Sequence, residues 1–162
     1  MKFLIPIIII IILYFLLQII YKKSLVNNYL KKLKQHFNHE VTISEVKEFK
    51  KVYELKTKNT NYFIQLVIVP LNSRIQINNY ITWELKTGGK DGIGDAPNKV
   101  TRLTEIEKFM SSSFNGKKIV VFLPSVKKIV KYINECEIVL VNEKTDVYGA
   151  KVISSENFNV YK

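Results

Sequence analysis

The sequence predicts an α/β (α+β) protein, with one N-terminal transmembrane helix ahead of a single domain built on a mixed sheet. Three observations lead to this prediction. The first 20 residues carry one charged side chain, Lys2. The 142 residues that follow (162 minus 20) alternate between apolar runs of strand length and stretches with helical spacing. That length allows one domain with a real core, and a single cysteine excludes both a disulfide framework and a cysteine-based zinc site.

The N-terminal segment is predicted to cross a membrane. Phe3 to Ile20 is an uncharged run of 18 residues, which as a helix spans about 27 Å, close to the ~30 Å hydrocarbon core of a bilayer. A cleaved secretory signal is the alternative, but the run exceeds the ~7–15 apolar residues of a signal, and no small-x-small cleavage site follows it. We therefore expect a transmembrane anchor over residues 1–22.

The flanking cations predict the orientation of the anchor. Lys2 and the α-amine precede the apolar run. Five lysines follow it closely: Lys22, Lys23, Lys31, Lys32 and Lys34. The positive-inside rule then places the N-terminus outside and the body, residues 41–162, in the cytoplasm of a single-pass cell-membrane protein. The same five lysines are expected to lie at the membrane surface, where anionic lipid attracts them.

An amphipathic helix is predicted over residues 23–40, directly after the span. Val26, Leu30, Leu33 and Phe37 are spaced by 4, 3 and 4 residues and form one apolar stripe. Two heptads are too few for a coiled coil, so we expect the stripe to pack on the domain.

Three strands are predicted next, over Lys51–Thr57, Tyr62–Val69 and Arg74–Lys86. The turns between them are short, which predicts an antiparallel meander. The third run alternates with period two, so Trp83 lies on its apolar face and Glu84 on its polar face.

The second half of the chain is predicted to be a β-α-β unit with flanking elements. In order, we expect a helix over 98–113, a strand over 118–123, a helix over 125–133, a strand over 137–142 and an edge strand over 147–153. The second helix is inferred from Ser125 as N-cap and from apolar residues at i, i+3, i+4 and i+7 from Val126. Residues 118–142 would then contain two parallel strands with a right-handed crossover.

The predicted order of helix, three strands, helix and strand resembles the αβββαβ core of the restriction-endonuclease-like (PD-(D/E)xK) superfamily. One residue pattern supports the resemblance, because Glu84-Leu85-Lys86 matches the Glu-x-Lys of the third core strand in that family. The whole is similar to the nuclease-related modules of some bacterial membrane proteins, over roughly residues 24–142. The resemblance implies that Glu84 would bind Mg²⁺ and that Lys86 would orient the attacking water.

The chain departs from the pattern of that family at its second acid. No Asp or Glu occurs from Lys56 to Trp83, and Gln65 and Asn72 stand near the expected place. A metal-dependent nuclease would therefore need its missing carboxylate from elsewhere: Glu54, Asp91 or Asp95.

A glycine-rich loop follows Glu84 and Lys86 directly. Its candidate ligand-contacting residues are Gly88, Gly89, Lys90, Gly92 and Gly94. It could bind phosphate through free backbone N–H groups at a helix start, or a metal through Asp91 and Asp95. It could also be a plain connector, with Asp95 or Asn98 capping the next helix.

The leading functional hypothesis is a non-catalytic binding or adaptor module held at the membrane, recognising nucleic acid or another protein. A divergent Mg²⁺-dependent nuclease and an envelope accessory protein without a ligand site are the alternatives. The net charge of +11 suits nucleic acid or anionic lipid, although only two of the 25 cations are arginine. No haem, flavin or nicotinamide cofactor is expected.

Overall fold

The computed structural model describes residues 4–89, 98–134, 137–155 and 157–161. The fold class is confirmed: the protein is α+β, with mixed sheets behind one long N-terminal helix. Helix α1 covers Leu4–His36 and α2 covers Thr104–Ser111. A short 3₁₀ helix, Asn159–Tyr161, ends the described chain.

Eleven described strands form two sheets. The strands of the first sheet are β1 (Thr42–Glu45), β2 (Val52–Lys56), β3 (Asn61–Ile68), β7 (Lys117–Leu123), β10 (Asp146–Val147) and β11 (Ala150–Ser154). The strands of the second are β4 (Arg74–Ile77), β5 (Trp83–Thr87), β6 (Lys99–Arg102), β8 (Lys128–Tyr132) and β9 (Ile138–Leu140). The order is β1-β2-β3-β7-β11-β10 in the first sheet and β6-β5-β4-β8-β9 in the second. Parallel pairs lie at the centre of both sheets, β3 with β7 and β11 with β7 in one, β4 with β8 in the other.

The central strands of the first sheet are buried on both faces, because a different layer covers each of them. The C-terminal half of α1 covers one face, where Leu55, Ile64 and Val121 are fully buried. The second sheet and α2 cover the other face, around Trp83 and Phe122. Apolar residues on both faces of β3 and β7 follow from this position.

Helix α1 has two halves with opposite surroundings. The large apolar side chains from Ile7 to Tyr21 are 47–65% exposed, and the domain covers none of this apolar stretch. Val26, Tyr29 and Leu33 are at most 7% exposed and belong to the core. The predicted packing of the juxtamembrane stripe on the domain is thus confirmed, and the helix runs without a break from one half to the other.

Two adjacent corners join the sheets. The chain leaves β3 for β4 through residues 69–73, and leaves β7 for β8 through residues 124–127. The corners are hydrogen-bonded to each other, since the Val69 N–H donates to the Leu123 carbonyl at 2.8 Å and the Lys127 N–H donates to the Ser73 carbonyl at 2.9 Å. Two parallel segments therefore cross together from one sheet to the other.

The predicted helix over 125–133 is wrong, because these residues form β8. Strand β8 pairs with β4 in parallel and with β9 in antiparallel orientation. Its β-branched and aromatic residues favour a strand. The apolar run is short enough to fit both the helical period of 3.6 residues and the strand period of two, so its spacing did not decide between them. The predicted β-α-β unit is therefore absent over 118–142, and its two strands lie in different sheets.

The predicted third strand, Arg74–Lys86, is a hairpin of β4 and β5. The side-chain oxygen of Asn79 accepts hydrogen bonds from the backbone N–H groups of Ile81 and Thr82, which stabilises the turn. This is the local bonding that makes asparagine a turn residue.

The predicted helix from Asn98 begins late, since β6 precedes it and α2 starts at Thr104 with no side-chain cap. Asn98 therefore does not cap this helix, and Asp95 lies outside the described residues. Six strands rather than three precede α2, so the element order differs from αβββαβ. The predicted edge strand over 147–153 is wrong in position, because β11 lies inside the sheet between β7 and β10.

A tyrosine cluster fixes the C-terminus beneath α1. The hydroxyls of Tyr29 and Tyr161 share a buried hydrogen bond of 2.6 Å, and the hydroxyl of Tyr62 donates to the Tyr161 carbonyl at 3.0 Å. Phe158 stacks on Tyr29 with ring centroids 5.5 Å apart. Burial raises the pKa of Tyr161 well above its ordinary value.

This raised pKa predicts a loss of stability in alkali. Above pH ~10 the unfolded chain loses the Tyr161 proton while the folded chain keeps it, so the free energy of unfolding falls by about 1.4 kcal/mol per pH unit until the raised pKa is reached. In a Tyr161→Phe variant that slope should be shallower, whereas Tyr148→Phe, at an exposed site, should keep it. Urea unfolding between pH 9 and 11 measures it, and equal slopes in all three proteins would contradict the prediction.

Candidate binding face

Glu84 and Lys86 lie on the outward face of β5, as the period-two pattern predicts. Trp83 between the two sheets is fully buried, and its indole N–H donates to the Tyr80 carbonyl at 3.2 Å. Because side chains alternate along a strand, the buried Trp83 sets Glu84 and Lys86 on the opposite side, where both are half-buried.

The strand beside them offers amides where the resemblance requires an acid. Gln76 on β4 stands opposite Glu84 in the register. The Lys86 ammonium donates to the side-chain oxygen of Gln76, whose amide donates to the side-chain oxygen of Asn78. Lys86 is thus hydrogen-bonded to two uncharged amide side chains in series, Gln76 and then Asn78.

Of the three residues predicted to supply the second carboxylate, the structure describes only Glu54, which belongs to the other sheet from Glu84. Glu54 lies on β2 of the first sheet and pairs with Lys56 at 3.3 Å. Asp91 and Asp95 lie outside the described residues. Within the described ranges, no group of three or more His, Cys, Asp or Glu side chains could hold a metal ion.

The described start of the glycine loop is held by the sheet. Gly88 and Gly89 have φ values of 69° and 80°, a conformation that favours glycine. The guanidinium of Arg74 donates to the Gly88 carbonyl at 3.0 Å. A Cβ on Gly88 would meet the side chain of Asn98 at 2.5 Å, so the two ends of the loop lie close together. The other predicted loop residues, Lys90, Gly92 and Gly94, lie outside the described residues.

Both arginines of the chain lie on this same outward face, a feature that the sequence did not reveal. Arg74 is on β4, and Arg102 on β6 stands opposite Glu84 in the register. Arg102 also pairs with Glu107 at 2.8 Å. The strand register and the Arg102–Glu107 pair bring together four cations, counting Lys86 and Lys128, and two acids, Glu84 and Glu107, so these six described side chains sum to +2. The sequence shows alternation within each strand, but not that β6 would pair with β5.

The face continues as an apolar patch on β8 and β9. Its side chains are Val130, Tyr132, Ile138 and Leu140. Leu140 is 62% exposed. We call the whole surface the outer face: Arg74, Gln76, Glu84, Lys86, Val100, Arg102, Lys128, Val130, Tyr132, Ile138 and Leu140. Its mixture of arginine, tyrosine and aliphatic side chains is typical of protein-binding surfaces.

The five predicted membrane-surface lysines are all exposed on α1 but lie at different heights. Lys22 and Lys23 directly follow the uncovered half of the helix. Lys31, Lys32 and Lys34 lie about 13–18 Å farther along the axis from Lys22, beside the first sheet. Lys31 borders grooves on both sides of α1.

No protein-family model, curated protein or solved structure matches this chain. The outer face and the two halves of α1 are therefore the observations on which a functional conclusion can rest.

Proposed function

We propose that the protein is a single-pass membrane protein that holds a non-catalytic binding domain against the cytoplasmic surface of the membrane. The main support for this proposal is the continuous helix α1. Its apolar N-terminal half is not covered by protein, and its C-terminal half is part of the domain core. Without a bilayer, the exposed apolar run from Ile7 to Tyr21 would face water. The lysines after the run favour a cytoplasmic domain.

The ligand that suits the outer face is another protein with an acidic segment. The excess of two positive charges complements acidic side chains, and the patch around Leu140 supplies apolar contact next to them. A nucleic-acid strand would gain little from aliphatic side chains such as Val130 and Ile138, because stacking on bases needs aromatic rings.

Charge reversal on the outer face tests this proposal. The variant Arg74→Glu/Arg102→Glu should reduce partner binding by about tenfold or more, because both arginines lie on the proposed contact surface. Photo-crosslinking in cells from a probe at Val130 measures the contact. The matched control is Lys56→Glu/Lys58→Glu on the first sheet, which should leave the crosslink unchanged.

Two outcomes would count against the proposal. Loss of the crosslink in both variants would point to general electrostatics, and no crosslink from the wild-type face would favour an accessory protein without a ligand site. Fluorescence of the single tryptophan, Trp83, verifies folding of each variant. Protease added to intact cells should leave the domain uncut, and cleavage from outside would overturn the orientation.

The Mg²⁺-dependent nuclease stays the alternative hypothesis, favoured by one observation. Glu84 and Lys86 share a face at the start of the glycine loop. Cleavage of DNA or RNA with Mg²⁺ or Mn²⁺ that is lost in Glu84→Gln would replace a binding role with an enzymatic one.

A further inference from the structure

Contacts between α1 and the first sheet show which end of the domain lies nearer the apolar half of α1. At one end, Tyr62, where β3 begins, contacts Tyr161, and Tyr161 contacts Phe37 after α1. At the other end, Leu123 and Pro124, where β7 ends, line a groove with Leu25 and Asn28 of α1. Strand β3 ends beside the end of β7, and β2 starts beside the second half of β3, so both lie at this end too. We call this end of the first sheet the near end and the other the far end.

The near end lies within one and a half helical turns of the apolar run. Tyr21 is the last residue of the uncovered stretch and Val26 is the first buried one. Five residues of helix span about 7.5 Å, while the interfacial layer of each leaflet is about 5–7 Å thick. No described linker separates the two, since α1 is continuous. With α1 in the bilayer, loops at the near end are at headgroup height.

The near end carries a net positive charge. We define the near-end surface as residues 22–23, 46–51, 69–73 and 124–127, which contain six lysines and one glutamate, a sum of +5. Glu143 borders this surface, because it lines a groove with Val126 and Ser154, and it lowers the sum to +4. A positive surface at this height matches an anionic leaflet.

An exposed apolar tip accompanies these cations. Leu71 is 68% exposed, and Pro70 beside it is exposed as well. Both lie in the corner between β3 and β4, which is hydrogen-bonded to Leu123 at the end of β7. Apolar side chains rimmed by lysines are the combination that interfacial membrane-binding surfaces use.

We propose that the near-end surface docks on the anionic leaflet, with Leu71 entering the headgroup layer and Lys47, Lys50 and Lys127 contacting lipid phosphates. This rests on the proposed membrane anchoring by α1. The docking is a second membrane contact, separate from the helix, and it fixes the tilt of the domain. The outer face is thereby presented at a constant angle to the membrane.

Site-directed fluorescence in vesicles tests the docking with the full chain. Cys136 is replaced by serine, and single cysteines are introduced at Leu71, at Tyr21 and at far-end Asn115, each labelled with an environment-sensitive dye. In vesicles of 70% phosphatidylcholine and 30% phosphatidylglycerol, a lipid-attached quencher should quench the dye at Leu71 about threefold or more above Asn115, because quenching requires contact with the lipid. In the Lys47→Gln/Lys50→Gln variant, the excess of quenching at Leu71 over Asn115 should fall by about half or more. Each lysine near anionic lipid raises the partition of the surface onto the membrane by about fivefold.

The controls separate the two proposals. The Lys58→Gln/Lys117→Gln background at the far end removes the same charge and should leave Leu71 quenching unchanged. Quenching at Tyr21 but not at Leu71 overturns the docking while the anchor stands, and no quenching at Tyr21 overturns the anchor itself. Equal quenching of Leu71 in purely zwitterionic vesicles would show that the lysines have no part in the contact.

Discussion

Arginines at Ile9 and Leu13 are expected to release the protein from the membrane. These side chains are 58% and 55% exposed, so they have no role in the domain core. An arginine near the centre of a spanning helix costs about 2.5–3.5 kcal/mol by insertion scales, so the double substitution opposes insertion by about 5–7 kcal/mol. Flotation of purely phosphatidylcholine vesicles, which the near-end lysines do not attract, should show the wild-type chain floating and the Ile9→Arg/Leu13→Arg variant at the bottom.

The matched control for this experiment is Ile9→Leu/Leu13→Ile, which keeps the apolar character and should float. Fluorescence of Trp83 should be the same in all three proteins, because the substituted half of α1 does not contact the domain. A floating double-arginine variant would show that contacts other than α1 hold the chain on the bilayer.

Truncating Leu33 is expected to weaken the domain strongly. Leu33 is fully buried between α1 and the first sheet. Removing its side chain leaves a cavity against β3 and β7, which costs about 2–5 kcal/mol in free energy of unfolding. Guanidinium unfolding in lipid nanodiscs, followed by Trp83 fluorescence, should show a lower midpoint for Leu33→Ala.

Lys32→Ala is the control, since Lys32 is exposed on the same helical turn. It changes the helix but not the core, and its midpoint should stay close to that of the wild type. If Leu33→Ala and Lys32→Ala unfold alike, α1 is not part of the cooperative unit that contains Trp83.

The sequence predicted elements well where one physical cause dominated. The stripe of α1 and the central strands β3 and β7 are defined by apolar residues at regular spacing, and tertiary contacts agree with that spacing. Helix α2 also ends near the predicted Ser113, at Ser111 with Ser112 already extended, although Asn115 and Gly116 follow too late to end it. Such signals depend only on residues that are close together in the sequence.

Prediction failed where partners distant in sequence decided the conformation. Val126, Ile129 and Ile133 fit a helical period, but pairing with β4 and β9 makes this segment extended. The residues of β6 continue a helical pattern into α2, yet they pair with β5. The same limit applied to the outer face: the common orientation of Glu84 and Lys86 follows from alternation, whereas the meeting of Arg74 with Arg102 depends on strand order.

The lengths of the two corners that join the sheets also agree with the pairing register of β4 and β8 in the second sheet. Tyr62 pairs with Lys117, an offset of 55 residues, while Arg74 pairs with Lys128, an offset of 54. The single residue of difference is taken up by the corners, with five residues in 69–73 and four in 124–127. A strand shifted by one residue exchanges its two faces, so Ile75 and Ile77 would turn outward and Arg74 and Gln76 inward. An insertion or deletion at Pro70 or Pro124 must therefore be absorbed within the corner itself if β4 and β8 are to keep this register.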